Sequence, residues 1–300
     1  MSTTTPRVTV IALCYNHVPW IESSLASVLG QSSPADRIVF CDDGSTDGSR
    51  ELAGRVFAGD PRVVHLRDME HNHGFIERLR EALDLCGDDY VILSPCDDLM
   101  HVDAIQLHRL QIARTGTRWS LGAVQVIDED GTPLRLCDPV AALAEVDEDV
   151  LRAAMNYHLE IHGWCFSAAL YREVGGLRPE IPLEDYQLAL EFAHAEKPAA
   201  SSQVVAYYRR RAASMSNGLL AGKLLHHAAW LALSQVRHQP FFALRRASEL
   251  FYSSAIYSAA HGKYREAGSS AVLSALVWPS PPALLRNLKQ GATRALRKLR

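Results

Sequence analysis

Two stretches of the chain end in paired carboxylates. Residues 36–49 read DRIVFCDDGSTDGS and residues 90–99 read YVILSPCDDL. Each is an apolar run that stops at two acids, Asp42-Asp43 in the first and Asp97-Asp98 in the second. If both runs are strands of one sheet, four carboxylates can meet at one edge. Carboxylates that close repel one another unless a cation lies between them. A divalent ion with a phosphate-bearing ligand would answer that, because Mg2+ and Mn2+ take oxygen ligands and bridge to phosphates. Read by themselves, the residues leave other roles open. Asp, Gly and Ser are turn residues, and Asp97 or Asp98 could cap a helix beginning near His101. Asp43, Ser45, Asp47 and Gly48 also match the first, third, fifth and sixth positions of a calcium loop. The twelfth position is Gly54 instead of Glu, and a strand precedes it.

A third acidic pair, Glu184-Asp185, opens the helix-like segment 184–196. Acids in a first helical turn complement the helix dipole, which is worth ~0.3–1 kcal/mol. A carboxylate there could equally accept a proton from a hydroxyl. His162-Gly163-Trp164 reads as an acceptor-side element, as a core Trp before a strand, or as both.

These residues need a frame. Val8–Cys14 is β-branched and continuously apolar, the pattern of a strand buried on both faces. A helix follows with Ile21, Leu25, Val28 and Leu29 on one stripe. Ile38–Cys41 is the second strand, leading to a helix that Ser45 or Thr46 could cap. Val63–Leu66 is the third strand and Phe75–Cys86 the next helix. Tyr90–Ser94 is the fourth strand, followed by a helix over His101–Thr115. Strands alternating with helices predict a parallel sheet covered on both faces, with ligands bound beyond the strand carboxyl ends. Tyr15-Asn16 and both Asp-Asp pairs fall at such ends. From Trp119 the rhythm changes. Ala123–Ile127, DEDG and TPLRL predict a hairpin, residues 146–158 a helix, and Gly163–Tyr171 and Val204–Arg211 strands.

Composition narrows the function. The chain has 300 residues, is 48% hydrophobic and carries a net charge of −3, which argues against general nucleic-acid binding. Six scattered cysteines form no CxxC and no zinc spacing. The opening MSTTTPR has no apolar signal region and no stretch approaches a membrane span, so a cytoplasmic location is expected. Between Arg286 and Arg300 there are six basic residues and no acidic one.

In VTVIALCYNHVPWIESSLASVLGQS (8–32), DDGSTDGS (42–49), CDDL (96–99), GWCFSAALYREVGGL (163–177), LEDYQLALEFA (183–193) and AYYRRRAASMS (206–216), the chain resembles the family 2 glycosyltransferases. The motifs stand in that family's order over about residues 6–216. The resemblance implies an α/β GT-A fold, a Rossmann-like, mostly parallel sheet flanked by helices, with a C-terminal helical extension. It implies a catalytic domain over 1–217, with a nucleotide-binding half of about 1–117 and an acceptor half of about 118–217. Residues 218–300 would be the helical extension. It implies transfer of a sugar, with inversion, from a nucleotide-sugar donor expected to be a UDP-sugar. The acceptor would be a hydroxyl of a glycan or lipid-linked saccharide in surface polysaccharide or glycoconjugate assembly.

Residue by residue, Tyr15 falls where the base is stacked or flanked, with Asn16 beside it, and Asp43 where a carboxylate reads the uracil edge. Asp42 and Asp97 join this nucleotide set. Asp98 falls where a carboxylate holds Mn2+ or Mg2+ on the diphosphate, and Asp185 where inverting members carry the general base. Glu184, Trp164, Arg78, Arg209 and Arg211 are further candidates near the diphosphate or acceptor. The chain departs from the family at three points: Pro95 replaces the leading carboxylate of the metal motif, Ile76-Glu77-Arg78 replaces Ala-Arg-Asn, and Arg211 replaces a frequent His. The other readings are a non-catalytic nucleotide-binding scaffold of the same fold and a sugar-phosphate nucleotidyltransferase. The latter would want a Gly-rich phosphate loop that ALCYNH lacks. Residues 283–300, with Leu284, Leu285, Leu288, Leu296 and Leu299 on one face, could lie on an anionic membrane surface. That would make the protein peripheral on the inner face of the plasma membrane.

Overall fold

The computed structural model describes residues 5–66, 69–156, 159–211 and 221–278. The chain divides into two compact units, Met1–Glu180 with Gln187–Arg211, and Ile181–Tyr186 with Ala212–Arg300. The first unit is built on a mixed sheet. In chain order its strands are β1 (Val8–Cys14), β2 (Arg37–Asp42), β3 (Val63–His65), β4 (Tyr90–Pro95), β5 (Leu99–Met100), β6 (Trp119–Ile127), β7 (Pro133–Cys137), β8 (Trp164–Ser167) and β9 (Ala199–Arg209). They lie in the order β3-β2-β1-β4-β8-β6-β9-β5, with β7 on β6.

The first four strands are parallel, as their alternation with helices requires. β1 is buried along its whole length, matching its unbroken apolar run. Helix α1 (Val18–Leu29) packs Ile21, Leu25 and Val28 into the cluster that holds Val8, Val10 and Ala12. Helix α2 (Ser49–Val56) follows β2, and α3 (Phe75–Asp84) buries Leu79, Ala82 and Leu83. Register sets the site: Cys14 pairs with Asp42 and Leu13 with Pro95. Both Asp-Asp pairs therefore leave the sheet at the level where β1 ends, one on each side of it.

Beyond β4 the pairing changes. β8 runs antiparallel to both β4 and β6, and β5 antiparallel to β9, while β6 and β9 are parallel. β6 and β7 form the expected hairpin, because too few residues separate them for a crossover. The Asp128 carboxylate accepts the N–H groups of Asp130 and Thr132 across its turn.

Some local expectations shift. Neither Ser45 nor Thr46 caps α2, which begins after Gly48. Of the helix expected over 146–158, the described residues form only α6 (Val150–Met155), and a short helix that was not expected, α5 (Pro139–Ala144), precedes it; Asp149 and Asp138 cap the two. The strand expected over 163–171 stops at Ser167, whose hydroxyl accepts from Ala169 N–H and starts α7 (Ala168–Glu173). Helix α4 (Ala104–Thr115) precedes β6.

In the second unit, α9 (Ala221–Ser234), α10 (Pro240–Ala260) and α11 (Tyr264–Val277) follow one another. α10 and α11 approach closely through small residues, with Ser248 and Ser274 each donating to the other's carbonyl at 2.9 Å. Among the described residues, no helix is long and apolar enough to cross a membrane. Residues 283–300 lie outside the described residues.

Candidate active site

The loop after β2 is stitched to the loop after β1. Asp42, fully buried, accepts from Ser45 N–H at 2.8 Å and Ser45 Oγ–H at 2.6 Å. Ser45 Oγ accepts from Asn16 N–H, and Asn16 Oδ1 from Thr46 N–H, both at 2.9 Å. Asn16 stands at φ 55°, a region that Asn tolerates better than most residues. Asp42 thus shapes the loop from within. Tyr15 is half-exposed at the rim.

Asp43 anchors a third loop. Its Oδ1 accepts from His73 N–H at 2.7 Å and Arg78 Nε at 3.1 Å, and its Oδ2 from Gly74 N–H at 3.0 Å. Arg78 also donates to Glu81 at 2.8 Å and to the His71 carbonyl at 2.7 Å. The two loops touch at Gly44, at φ +76°, where a Cβ would sit 2.8 Å from Asn72 N. A carboxylate oxygen can accept twice, so Oδ2 keeps one acceptor position for a ligand N–H.

The pair after β4 splits between two partners. Asp97 Oδ2 lies 2.8 Å from Arg211 Nε and 3.7 Å from His17 Nε2. Arg211 Nη2 is 3.2 Å from His17 Nε2, and its guanidinium carbon lies 5.1 Å from the centroid of the Trp20 ring. Asp98 Oδ1 accepts from the Arg209 N–H at 2.7 Å, and Oδ2 meets His162 Nε2 at 3.2 Å. His162 Nδ1 faces Glu160 Oε1 at 2.9 Å, and the ring stacks on Tyr208 at 4.3 Å. Burial pushes Asp98 up to about 7, opposed mainly by His162. Burial alone would lower His162, but Asp98 and Glu160 beside it raise it to about 9. The two carboxylates thus favour the charged form of the ring. Arg209 is a strap: its Nε donates to the Asp97 carbonyl at 2.9 Å and Nη1 to the Glu129 carbonyl at 2.8 Å.

Tyr15, Asn16, Asp42, Asp43, Arg78, Asp97, Asp98, Arg209 and Arg211 all stand at or against the carboxyl edge of β1, β2 and β4. Trp164 is a core residue, 1% exposed, packed edge-on to Trp119 at 5.1 Å. Glu184 and Asp185 open helix α8 (Glu184–Ala195) in the stretch Ile181–Tyr186 of the second unit. Asp185 Oδ1 accepts from Tyr186 N–H at 2.6 Å, and its side chain is partly exposed. His17 and Glu160 were not among the sequence candidates. Only the position of His17, next to Tyr15-Asn16 after β1, could have signalled it.

The donors present do not fit a divalent ion as they stand. Both Asp98 oxygens are engaged, Asp97 is paired to a guanidinium, and the leading position is Pro95. Among the described residues, no group of three or more His, Cys, Asp or Glu side chains is arranged to hold a metal ion.

Known proteins share this framework. The Bacillus subtilis protein TuaG, named as a glycosyltransferase of teichuronic acid biosynthesis, is 31% identical over 129 residues. That match covers 43% of this chain and 51% of TuaG, so the chain spans about half the length of this relative. The mannosyltransferase PcManGT of Pyrobaculum calidifontis, solved with GDP-Man and Mn2+, superposes with a TM-score of 0.60 at 20% identity, covering 98% of this chain and 81% of its own. Staphylococcus aureus TarS residues 1–349, solved with UDP-GlcNAc, gives 0.58 at 13% identity over 88% of this chain and 90% of its own. The fold is GT-A, as in these neighbours. The model of the family described as "Glycosyl transferase family 2" matches residues 9–174, more than half the chain, and the protein belongs to that family.

Proposed function

We propose that this enzyme transfers a sugar, with inversion, from a UDP-sugar to a hydroxyl of a glycan or lipid-linked saccharide in surface polysaccharide assembly. The observation that carries the donor reading is the Asp43 carboxylate. It is oriented by two peptide N–H groups and Arg78, and one acceptor position on Oδ2 is open to a base N–H. Tyr15, exposed beside it, offers a face for the base, and Asn16 and Asp42 keep the loop in shape. Asp185 is the general base of this reading: it takes the acceptor proton as the acceptor oxygen attacks the anomeric carbon. The polysaccharide context draws support from the TuaG relative.

A divalent cation at the diphosphate draws support from the Mn2+ complex of PcManGT. The pairings of Asp97 and Asp98 favour a resident cation instead, so no step here runs through a metal. The catalytic domain 1–217 and helical extension 218–300 belong to the same reading. So does a peripheral attachment of residues 283–300 to anionic lipid on the inner face of the plasma membrane, which their basic, acid-free sequence supports.

The test is a panel of nucleotide sugars scored for hydrolysis and for thermal stabilisation of the full chain. Stabilisation and slow hydrolysis by a UDP-sugar are expected. Stabilisation without hydrolysis or transfer from any donor would make the chain a binding scaffold. Co-sedimentation with anionic liposomes, comparing the full chain with a 1–282 truncation, tests the tail. Equal pelleting removes the attachment.

A further inference from the structure

We infer that Arg211, and not a divalent ion, is the cation this chain brings to the donor diphosphate. The inference rests on the nucleotide-sugar reading above. The position two residues before Asp97 is Pro95, so one carboxylate that a bridging ion would use is missing from the chain. The remaining two are committed. Asp98 is 3% exposed and held on one oxygen by a peptide N–H and on the other by His162. A divalent ion would have to displace the His162 ring and break into the Glu160–His162–Asp98 chain. Asp97 carries the Arg211 guanidinium at 2.8 Å.

Charge at Asp97 points the same way: the Arg211 guanidinium already stands against its carboxylate before any ligand arrives. A divalent ion on Asp97 would also stand within a few ångströms of the Arg211 guanidinium, a like-charge contact in a partly buried setting.

Arg211 suits the role chemically. A guanidinium stays charged at every working pH and meets phosphate oxygens through a planar fork of N–H donors. Its side chain is 21% exposed, against 11% for Asp97, so it stands on the solvent side of the pair. Asp97 and the Trp20 face hold it in one orientation, which lowers the ordering cost of meeting a ligand. In transfer, the bond from the anomeric carbon to the β-phosphate oxygen breaks, and its electron pair stays on that oxygen. The acceptor oxygen bonds the anomeric carbon and its proton goes to the base. The departing diphosphate gains one negative charge, and Arg211 is the preorganised charge that meets it.

The experiment is calorimetric titration of the full chain with UDP and uridine, with GDP alongside, in EDTA and again in Mn2+. In EDTA, UDP should bind, and Mn2+ should tighten it by less than about threefold. Arg211→Ala should weaken UDP about tenfold or more while leaving uridine unchanged, because only the diphosphate loses its partner. Arg211→Lys, keeping the charge but not the fork, should fall between. If Arg211→Ala loses its fold by leaving Asp97 unpaired, the double variant with Asp97→Asn removes both charges and takes its place. Nucleotide binding that appears only with Mn2+ overturns the inference and leaves the nucleotide-sugar reading standing. Failure of uridine, UDP and GDP to bind under either condition removes both.

Discussion

Arg78 Nε donates to Asp43 Oδ1 at 3.1 Å, and the Arg78 side chain is only 1% exposed. The carboxylate that the sequence suggested as a base reader is thus one half of a buried ion pair. Removing one partner leaves the other's charge uncompensated, which typically costs about 3–5 kcal/mol. Arg78→Met should lower unfolding free energy by that order in urea and weaken uridine binding, because the His71–Gly74 loop loses its anchor. A variant as stable as the parent would show that the pair contributes nothing net.

Gly44 permits the contact between the loops after β2 and β3. It has φ +76°, and an added Cβ would meet Asn72 N and the His71 carbonyl carbon, both at 2.8 Å. Backbone strain of this kind costs about 1–3 kcal/mol before any clash is counted. Gly44→Ala should therefore destabilise and weaken UDP binding together. Gly54, inside α2 with nothing within 4 Å of a new Cβ, is the matched control. There the same change should stabilise by roughly 0.5–1 kcal/mol. Denaturation and nucleotide titration of both variants check the contrast.

His108 supplies a pH signature. It is buried, its Nδ1 meets Ser120 Oγ at 2.8 Å, and burial depresses it to about 3. The unfolded chain takes up this proton near pH 6.5, while the folded one refuses it until about 3. The stability His108 contributes is therefore complete above pH 6.5 and is lost as pH falls through that window. The slope approaches about 1.4 kcal/mol per pH unit for this group. His108→Gln should flatten the acid side of the stability profile. An unchanged slope between pH 6 and 4 would show that the ring gains its proton in the folded state.

Asp185→Asn keeps the shape and an oxygen to accept the Tyr186 N–H that now bonds Asp185 Oδ1. Loss of a general base costs about 10²–10⁴-fold in turnover. Nucleotide affinity should stay within a few-fold, since this residue takes no part in holding the base or diphosphate in the proposed reading. Steady-state transfer and UDP titration separate the two, and full activity in the variant would put the base elsewhere.

The strands that frame the site were legible because they are long apolar runs. β1, β2 and β4 and the stripe of α1 follow from side-chain periodicity, which is local. β5 was not legible: two residues carry no period, and its existence depends on β9, more than a hundred positions away. Nor was α5, where no helix was expected, nor the start of α6 at Val150 in place of 146, where Asp147 and Glu148 take positive φ just ahead of the Asp149 cap.

The sequence by itself determined which residues reach the carboxyl edge. The length and register of the apolar runs bring Tyr15, Asn16 and both Asp-Asp pairs to one level, and six ordered motifs named the family. What each carboxylate then does was decided only by the tertiary structure. Asp42 turns inward to Ser45, Asp43 is tied to Arg78, Asp98 meets His162, and Asp97 meets Arg211 from a strand end 114 positions later. These partners are chosen by burial: a carboxylate leaving water must find a donor wherever the packed chain brings one, and sequence distance carries no record of that choice.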